Sequence, residues 1–426
     1  MKKFLSTLLV FALCLALFVP ITALAEGDVI ELATYDDLLK IKDNPSGSYK
    51  LIYDIDCAGH EWTPVDFSGN FDGNGHALLN LKITGTTTDV RTTIDGNWKQ
   101  YDTYFSGFFG IVENATIENL TLLGVDVDVT KNDNIYAAAL VGFMSDSTIK
   151  NCTVEGKVCL HTACKAFGVA GILGYGWGSV DSCTADVTVI CVDTDKENRD
   201  EQFLGGIFGN GYPDITNCTV TLQGYDSDHG YVHDGGIGGM WILPAGVKHD
   251  GHIDNNTVKG AIHFFEDNTN RRAYCVDKIG EIMSWTITQN GNKTEFTRDE
   301  TKDYSKDLYP EMCENASYDK QVVEATETEY GYTLYKCKTC DYSYKADYTS
   351  LNVYVEPVEE EAITPEPVTS KNETSTFDGK LVYIIMAAVI ILGVVITIVI
   401  LNARAKARRR RELAARRAAR RGAPKQ

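Results

Sequence analysis

Between residues 71 and 258 the chain repeats a six-residue pattern: apolar, any, Asn, apolar or Cys, any, apolar. It reads Leu78–Ile83, Ile117–Leu122, Ile149–Val154, Val180–Ala185, Ile215–Val220 and Ile253–Val258. The third place is held by Asn80, Asn119, Asn151, Ser182, Asn217 and Asn255. Successive copies start 39, 32, 31, 35 and 38 residues apart. A second pattern, small, apolar, apolar, Gly, precedes most copies, as Gly107–Gly110, Ala139–Gly142, Gly171–Gly174, Gly206–Gly209 and Gly236–Gly239.

Alternation on either side of each Asn predicts two short strands that meet at a sharp bend. Asn tolerates the left-handed backbone conformation that such a bend needs. Places one, four and six then face inward, and place five, usually Thr, faces outward. The paired glycines predict a tight bend at another corner. The unit is too long for a hairpin and has no helical period, so stacked coils with strands ~4.8 Å apart are expected. An antiparallel sandwich would show strands every ~8–12 residues without an ordered pair of motifs. A propeller of the WD type would carry its Trp-Asp signature, which is missing. The expected fold class is therefore all-β, a parallel β-helix over residues 71–262.

Phe71-Asp72-Gly73-Asn74-Gly75-His76 followed by Leu78–Ile83 resembles the first coil of right-handed β-helices. The Gly-apolar-apolar-Gly unit with Ile-x-Asn-Cys/Leu-x-Val resembles the GLUG repeats of bacterial surface proteins. Ala33–Gly59 resembles the usual leader, which implies a helix from Thr34 through Ile41 and a strand over Tyr49–Ile55, in a cap spanning 26–70. Residues 310–353, through Tyr332–Tyr342, resemble small Tyr- and Cys-bearing modules of secreted Firmicute proteins, with Glu327 where those modules often have a further Cys. Residues 263–309 are expected to be a C-terminal cap or connector. The resemblance implies a fold and a surface location. The repeat itself carries no chemistry.

The ends predict an address. Met1–Ala25 has two lysines, an apolar run and Ala23-Leu24-Ala25, the pattern of a secretory signal peptide. Leu381–Leu401 is 21 residues without a charge, enough for one membrane-spanning helix, and the basic stretch 402–426 after it places that end in the cytoplasm. Residues 354–380 are acidic and rich in Pro, Thr and Ser, as in an extended stalk. No LPxTG-like pentapeptide precedes the span, so retention in the plasma membrane is expected, as a type I single-pass protein with its body outside.

Charge sharpens this picture. The net charge of −19 divides into +10 over 402–426, +2 over 1–25 and −31 between them. So acidic a body argues against nucleic acid as a partner.

Of twelve cysteines, Cys14 lies in the signal peptide, and the eleven left are an odd number. Cys152, Cys183 and Cys218 occupy place four of successive repeats and are expected as buried small hydrophobes. Cys337 and Cys340 form a lone C-x-x-C, with Cys313 as the evident third candidate ligand for a metal.

Five of eight histidines fall within 229–263. Asp228, His229, His233 and Asp234 are the weak catalytic candidates, with His249, His252 and Asp254 further on. Asp56, Asp66 and Asp72 read as turn residues. Tyr101, Tyr104, Trp177 and Trp241 are the candidate contacts for a sugar or a partner protein. The paired Asp, Gly-His-Gly and Arg-x-Lys set of pectin-degrading β-helices does not occur. His60–Pro64 begins like a zinc-protease motif but has Pro64 at the second His place, and there is no G-x-S-x-G. No cofactor is implied. Three functions remain open: a membrane-anchored binding protein or adhesin for a carbohydrate, host or cell-wall partner; a polysaccharide lyase or hydrolase; and a spacer without a ligand.

Overall fold

The computed structural model describes residues 29–352 apart from 96, 164–165, 194–200, 227–230, 245, 265–280, 284–286, 300–316 and 340–341. The expected signal peptide, stalk, span and tail lie outside the described residues. Among the described residues, no helix is long and apolar enough to cross a membrane.

The body is all-β and built on three sheets with parallel pairing. The chain visits them in a fixed cyclic order. Thr116–Glu118 lies in the first sheet, Thr121–Thr130 in the second and Ile135–Ala138 in the third. The next round uses Val141–Lys150, Thr153–Thr162 and Ala166–Ala170, and the one after begins at Leu173–Asp181. Equivalent residues pair in register, so Ile117, Ile149, Val180, Ile215 and Ile253 form one column. All five are buried, as are Leu122, Val154, Ala185, Val220 and Val258 at place six. Burying such columns between sheets is the main driving force for stacking.

The Asn corners take the expected conformation: φ is +55° at Asn119, +51° at Asn151, +55° at Ser182, +57° at Asn217 and +60° at Asn255. Their backbone groups also stitch the stack. Asn119 N–H donates to the Lys150 carbonyl at 3.0 Å, and Asn151 N–H to that of Asp181 at 3.1 Å. The side chains form a partial ladder. Asn151 Nδ2 donates to Asn119 Oδ1 at 3.3 Å, and Asn119 Nδ2 to Asp72 Oδ1 at 3.0 Å.

Asn80 belongs to a different place. Phe71 pairs with Ile117, whereas Leu78 pairs with Leu122. The first copy of the pattern therefore sits one strand later than the rest, on the second sheet, and the corner of that round is Gly73–Gly75, with Asn74 at φ +54°. The shift accompanies an insertion. Arg91–Ile94 and Gln100–Ser106 form an antiparallel hairpin that delays the next round.

The glycines of the second pattern also have another role. Two-residue bends join the third sheet to the first, but the second glycine of each copy is not left-handed. A Cβ on Gly174 would lie 2.7 Å from the Gly142 carbonyl, one on Gly209 2.6 Å from that of Gly174, and one on Gly239 2.5 Å from that of Gly209. Glycine is there because the preceding repeat stacks on the Cα.

Place four runs Leu120, Cys152, Cys183, Cys218 and Asn256, all buried. Each of the three thiols donates to the carbonyl two residues earlier, at 3.2–3.3 Å. Asn256 continues the column as an amide: its Oδ1 accepts from Cys218 N–H at 2.8 Å and its Nδ2 donates to the Ile215 carbonyl at 3.0 Å. The sheets run past residue 262. Lys293–Asp299 pairs with Thr257–Phe264, and Glu281–Met283 with Gly238–Ile242.

At the start, the expected helix is two single turns, Tyr35–Leu38 and Lys40–Asp43, the first opened by a Thr34–Asp37 capping box. Ser48–Leu51 enters the first sheet and Ile55–Asp56 the second. At the end, Tyr318–Val323, Gly331–Cys337 and Ser343–Thr349 form a separate antiparallel sheet. This module packs on the second sheet, where Tyr348 joins Ala77, Leu79 and Leu123 in a small apolar cluster.

Candidate binding groove

Alternation along the second sheet sends every other side chain away from the core. Asp126, Lys157, Thr188 and Gln223 fall in one register row, and Glu155 and Asp186 in another. The C-terminal module stands over these rows and leaves a groove of about 350 Å³. Tyr318, Tyr342, Tyr344 and Lys345 line its module side. The tyrosines are ordered by stacking: Tyr344 lies 4.8 Å from Tyr335 with 5° between the rings, and Tyr318 meets Tyr344 edge-on at 5.4 Å.

Ion pairs cross the groove and its floor. Lys345 Nζ lies 2.7 Å from Glu155 Oε1, and Lys157 Nζ 3.3 Å from Asp126 Oδ1. Asp186 is exposed at the rim. Partial desolvation in the cleft and then the neighbouring Glu155 push its carboxyl up, against Lys345. Desolvation lowers the Lys345 ammonium, but the hydrogen bond and charge of Glu155, with the charge of Asp186 and the Tyr332 phenol, together outweigh it and hold the group above its ordinary value. Burial pushes the Tyr342 and Tyr344 phenols up, so both stay protonated donors at neutral pH. The groove thus offers aromatic faces, hydroxyl donors, an amide and carboxylate acceptors, the set that binds polyhydroxylated molecules.

The residues singled out in the sequence lie elsewhere. Asp228 and His229 are outside the described residues. His233 and Asp234 are buried on the third sheet, so they do not form a solvated loop. His233 Nε2 hydrogen-bonds Glu201 Oε2, and its ring stacks on Phe203 at 5.2 Å. Asn97, from the inserted hairpin, donates to the other Glu201 oxygen. The same hairpin closes over Tyr136, Tyr175 and Asn210: Ile94 N–H donates to Tyr175 Oη at 3.1 Å, and Asn210 Nδ2 to the Ile94 carbonyl at 2.9 Å. His249 and His252 meet other acids, Asp214 at 3.1 Å and Asp254 at 3.4 Å. The two halves of the His/Asp string have separate partners.

Trp241 is fully buried and donates to the Pro213 carbonyl at 3.0 Å, which makes it core and not a contact surface. It belongs to the main apolar core between the sheets. Tyr101, Tyr104 and Trp177 are half-buried. Tyr101 Oη donates to Asp95 at 3.1 Å, Lys131 Nζ sits 3.7 Å above the Tyr104 ring, and Trp177 stacks on Tyr212 at 5.3 Å. Cys337 is buried in the module, while Cys313 and Cys340 are outside the described residues. Asp56 and Asp72 do close turns, accepting from Ala58 N–H at 3.0 Å and Asn74 N–H at 2.8 Å.

The groove residues escaped sequence reading because their signal is only alternation. Asp126, Glu155 and Asp186 look like ordinary solvated strand positions until the module is seen above them. No known family model matches the chain, and no curated protein sequence does.

Proposed function

We propose that this chain is an exported, membrane-anchored surface protein that binds a neutral or amino-sugar glycan in the groove beneath its C-terminal module. In this reading the parallel sheets close into a right-handed β-helix of the GLUG kind. The stalk and the span at 381–401 hold that body outside the cell. The observation that carries the proposal is the groove: tyrosines on one wall and Asp126, Glu155 and Asp186 on the other. Tyrosine faces stack on sugar rings, and carboxylates accept from sugar hydroxyls. The same carboxylates, in a body of charge −31, disfavour a polyanionic ligand. The test is retention of the full chain on immobilised neutral, amino-sugar and acidic glycans. Saturable retention on the first two, lost in Tyr344→Ala, supports the proposal. Retention only on acidic glycans, or none, ends it.

A second reading is favoured by one pair. Asp186 is raised beside Glu155, which is ion-paired with Lys345, and two carboxyls in unequal environments suit acid and base roles. Steady product release that is lost in Asp186→Asn would assign glycan cleavage to the groove.

A further inference from the structure

Away from the groove, the second sheet carries another cluster. Strand alternation puts Cys159 and His161 on one face of Thr153–Thr162. Parallel register sets Asp128 directly beside Cys159. Cys159 Sγ lies 3.2 Å from His161 Nε2, and the same nitrogen is 3.8 Å from Asp128 Oδ1. All three donor atoms fall within 4.8 Å of one another. Cys159 is buried, with Ile190 and Tyr225 next to it along the same register row, while the side chains of His161 and Asp128 are 27% and 44% exposed. The cluster is therefore flanked by apolar side chains on one side and partly exposed at His161 and Asp128.

A nucleophilic triad would use the two nitrogens of the ring separately, one for the thiol and one for the carboxylate. Here one nitrogen faces both. Three donors converging on one point describe a face of a metal polyhedron. Tetrahedral zinc with bonds of ~2.0–2.3 Å sets neighbouring ligand atoms roughly 3.3–3.6 Å apart, and the two distances to the His161 nitrogen, 3.2 and 3.8 Å, bracket that span. A thiolate and an imidazole select zinc-class ions over calcium or magnesium.

We propose that Asp128, Cys159 and His161 bind one zinc-class divalent cation. Binding releases the Cys159 thiol proton to solvent, and the ion takes the thiolate, the His161 nitrogen and one Asp128 oxygen.

Cobalt(II) titration of the reduced, chelator-treated full chain tests this. One equivalent is expected to give a thiolate-to-cobalt charge-transfer band with tetrahedral d–d bands, reversed by zinc. Cys159→Ser should abolish the charge-transfer band with the circular dichroism unchanged. Asp128→Asn and His161→Gln should each weaken binding at least about tenfold. No band, or a band that survives Cys159→Ser, overturns the proposal by assigning cobalt to other cysteines or to none. If Cys159→Ser does not fold, the other two variants decide, and unchanged cobalt affinity in both overturns it equally.

Discussion

Asn80 holds the backbone of Tyr348 with both ends of its amide: Oδ1 accepts the Tyr348 N–H at 2.7 Å, and Nδ2 donates to the Tyr348 carbonyl at 2.9 Å. The two residues are 268 positions apart. A side-chain amide thus imitates a neighbouring strand and fixes the module over the groove. Tyr348 also packs where a Cβ on Gly124 would come within 2.7 Å of its ring, so close approach and hydrogen bonds act together. Asn80→Ala is expected to loosen the module by about 1–3 kcal/mol, because two partly buried backbone groups lose their partner. Hydrogen exchange within Ser343–Thr349 should accelerate while the exchange of Thr153–Thr162 stays as before. Unchanged protection of the module would remove this contact from the account of docking.

Asn151 tests the corners. At φ +51° an alanine is strained by roughly 1–2 kcal/mol, whereas glycine is not. Asn151→Ala should lower the unfolding midpoint and Asn151→Gly should recover most of the loss. Equal midpoints for the two variants would mean that the side-chain ladder, and not the backbone, sets the preference for Asn.

Gly209 tests the stacking. Its Cβ would meet the Gly174 carbonyl at 2.6 Å, a rigid backbone atom that can move only by separating two repeats. Gly209→Ala is expected to cost about 1–3 kcal/mol, the usual penalty of overpacking. Thermal unfolding of the variant beside Gly75→Ala checks this. Gly75 has a left-handed φ of +79° with open space around it, so its loss isolates backbone strain. A Gly209→Ala protein as stable as the parent would show that the repeats are less tightly stacked than these distances require.

Asp181 makes the corner ladder acid-labile. Partial burial pushes its carboxyl up, but hydrogen bonds from Thr216 and Asn217, both at 2.7 Å, and from Ser182 at 3.0 Å outweigh that and lower it. A carboxyl lower in the folded than in the unfolded state stabilises above its unfolded pKa, and that stability fades as pH falls through the folded value. Asp254, lowered by Thr288 and Asn290 against partial burial, acts in the same sense. Stability is therefore expected to drop below the ordinary carboxylate range, and less steeply in Asp181→Asn. Denaturant titrations from neutral to acid pH measure it, and parallel curves for parent and variant would exclude Asp181 as a source.

The repeat was legible in the sequence because its causes are local. A left-handed bend selects Asn at one place, and burial between sheets selects apolar residues two and three places away, so spacing alone predicts the corners at Asn119, Asn151, Asn217 and Asn255 and the buried thiols at Cys152, Cys183 and Cys218. Register is not local. The Asn80 copy lies on another strand than the rest, and only its pairing with Leu122–Leu123 reveals it. The same limit applies to chemistry. His233 and Trp241 are candidates by residue type, yet the fold buries both. The groove and the Asp128, Cys159 and His161 cluster each join residues from different strands or from the two ends of the body. Sequence dictated which side of each strand those residues take, since alternation is a property of the backbone. Which of them meet was decided by stacking register and by the docking of the module, both set by contacts between segments far apart in the chain.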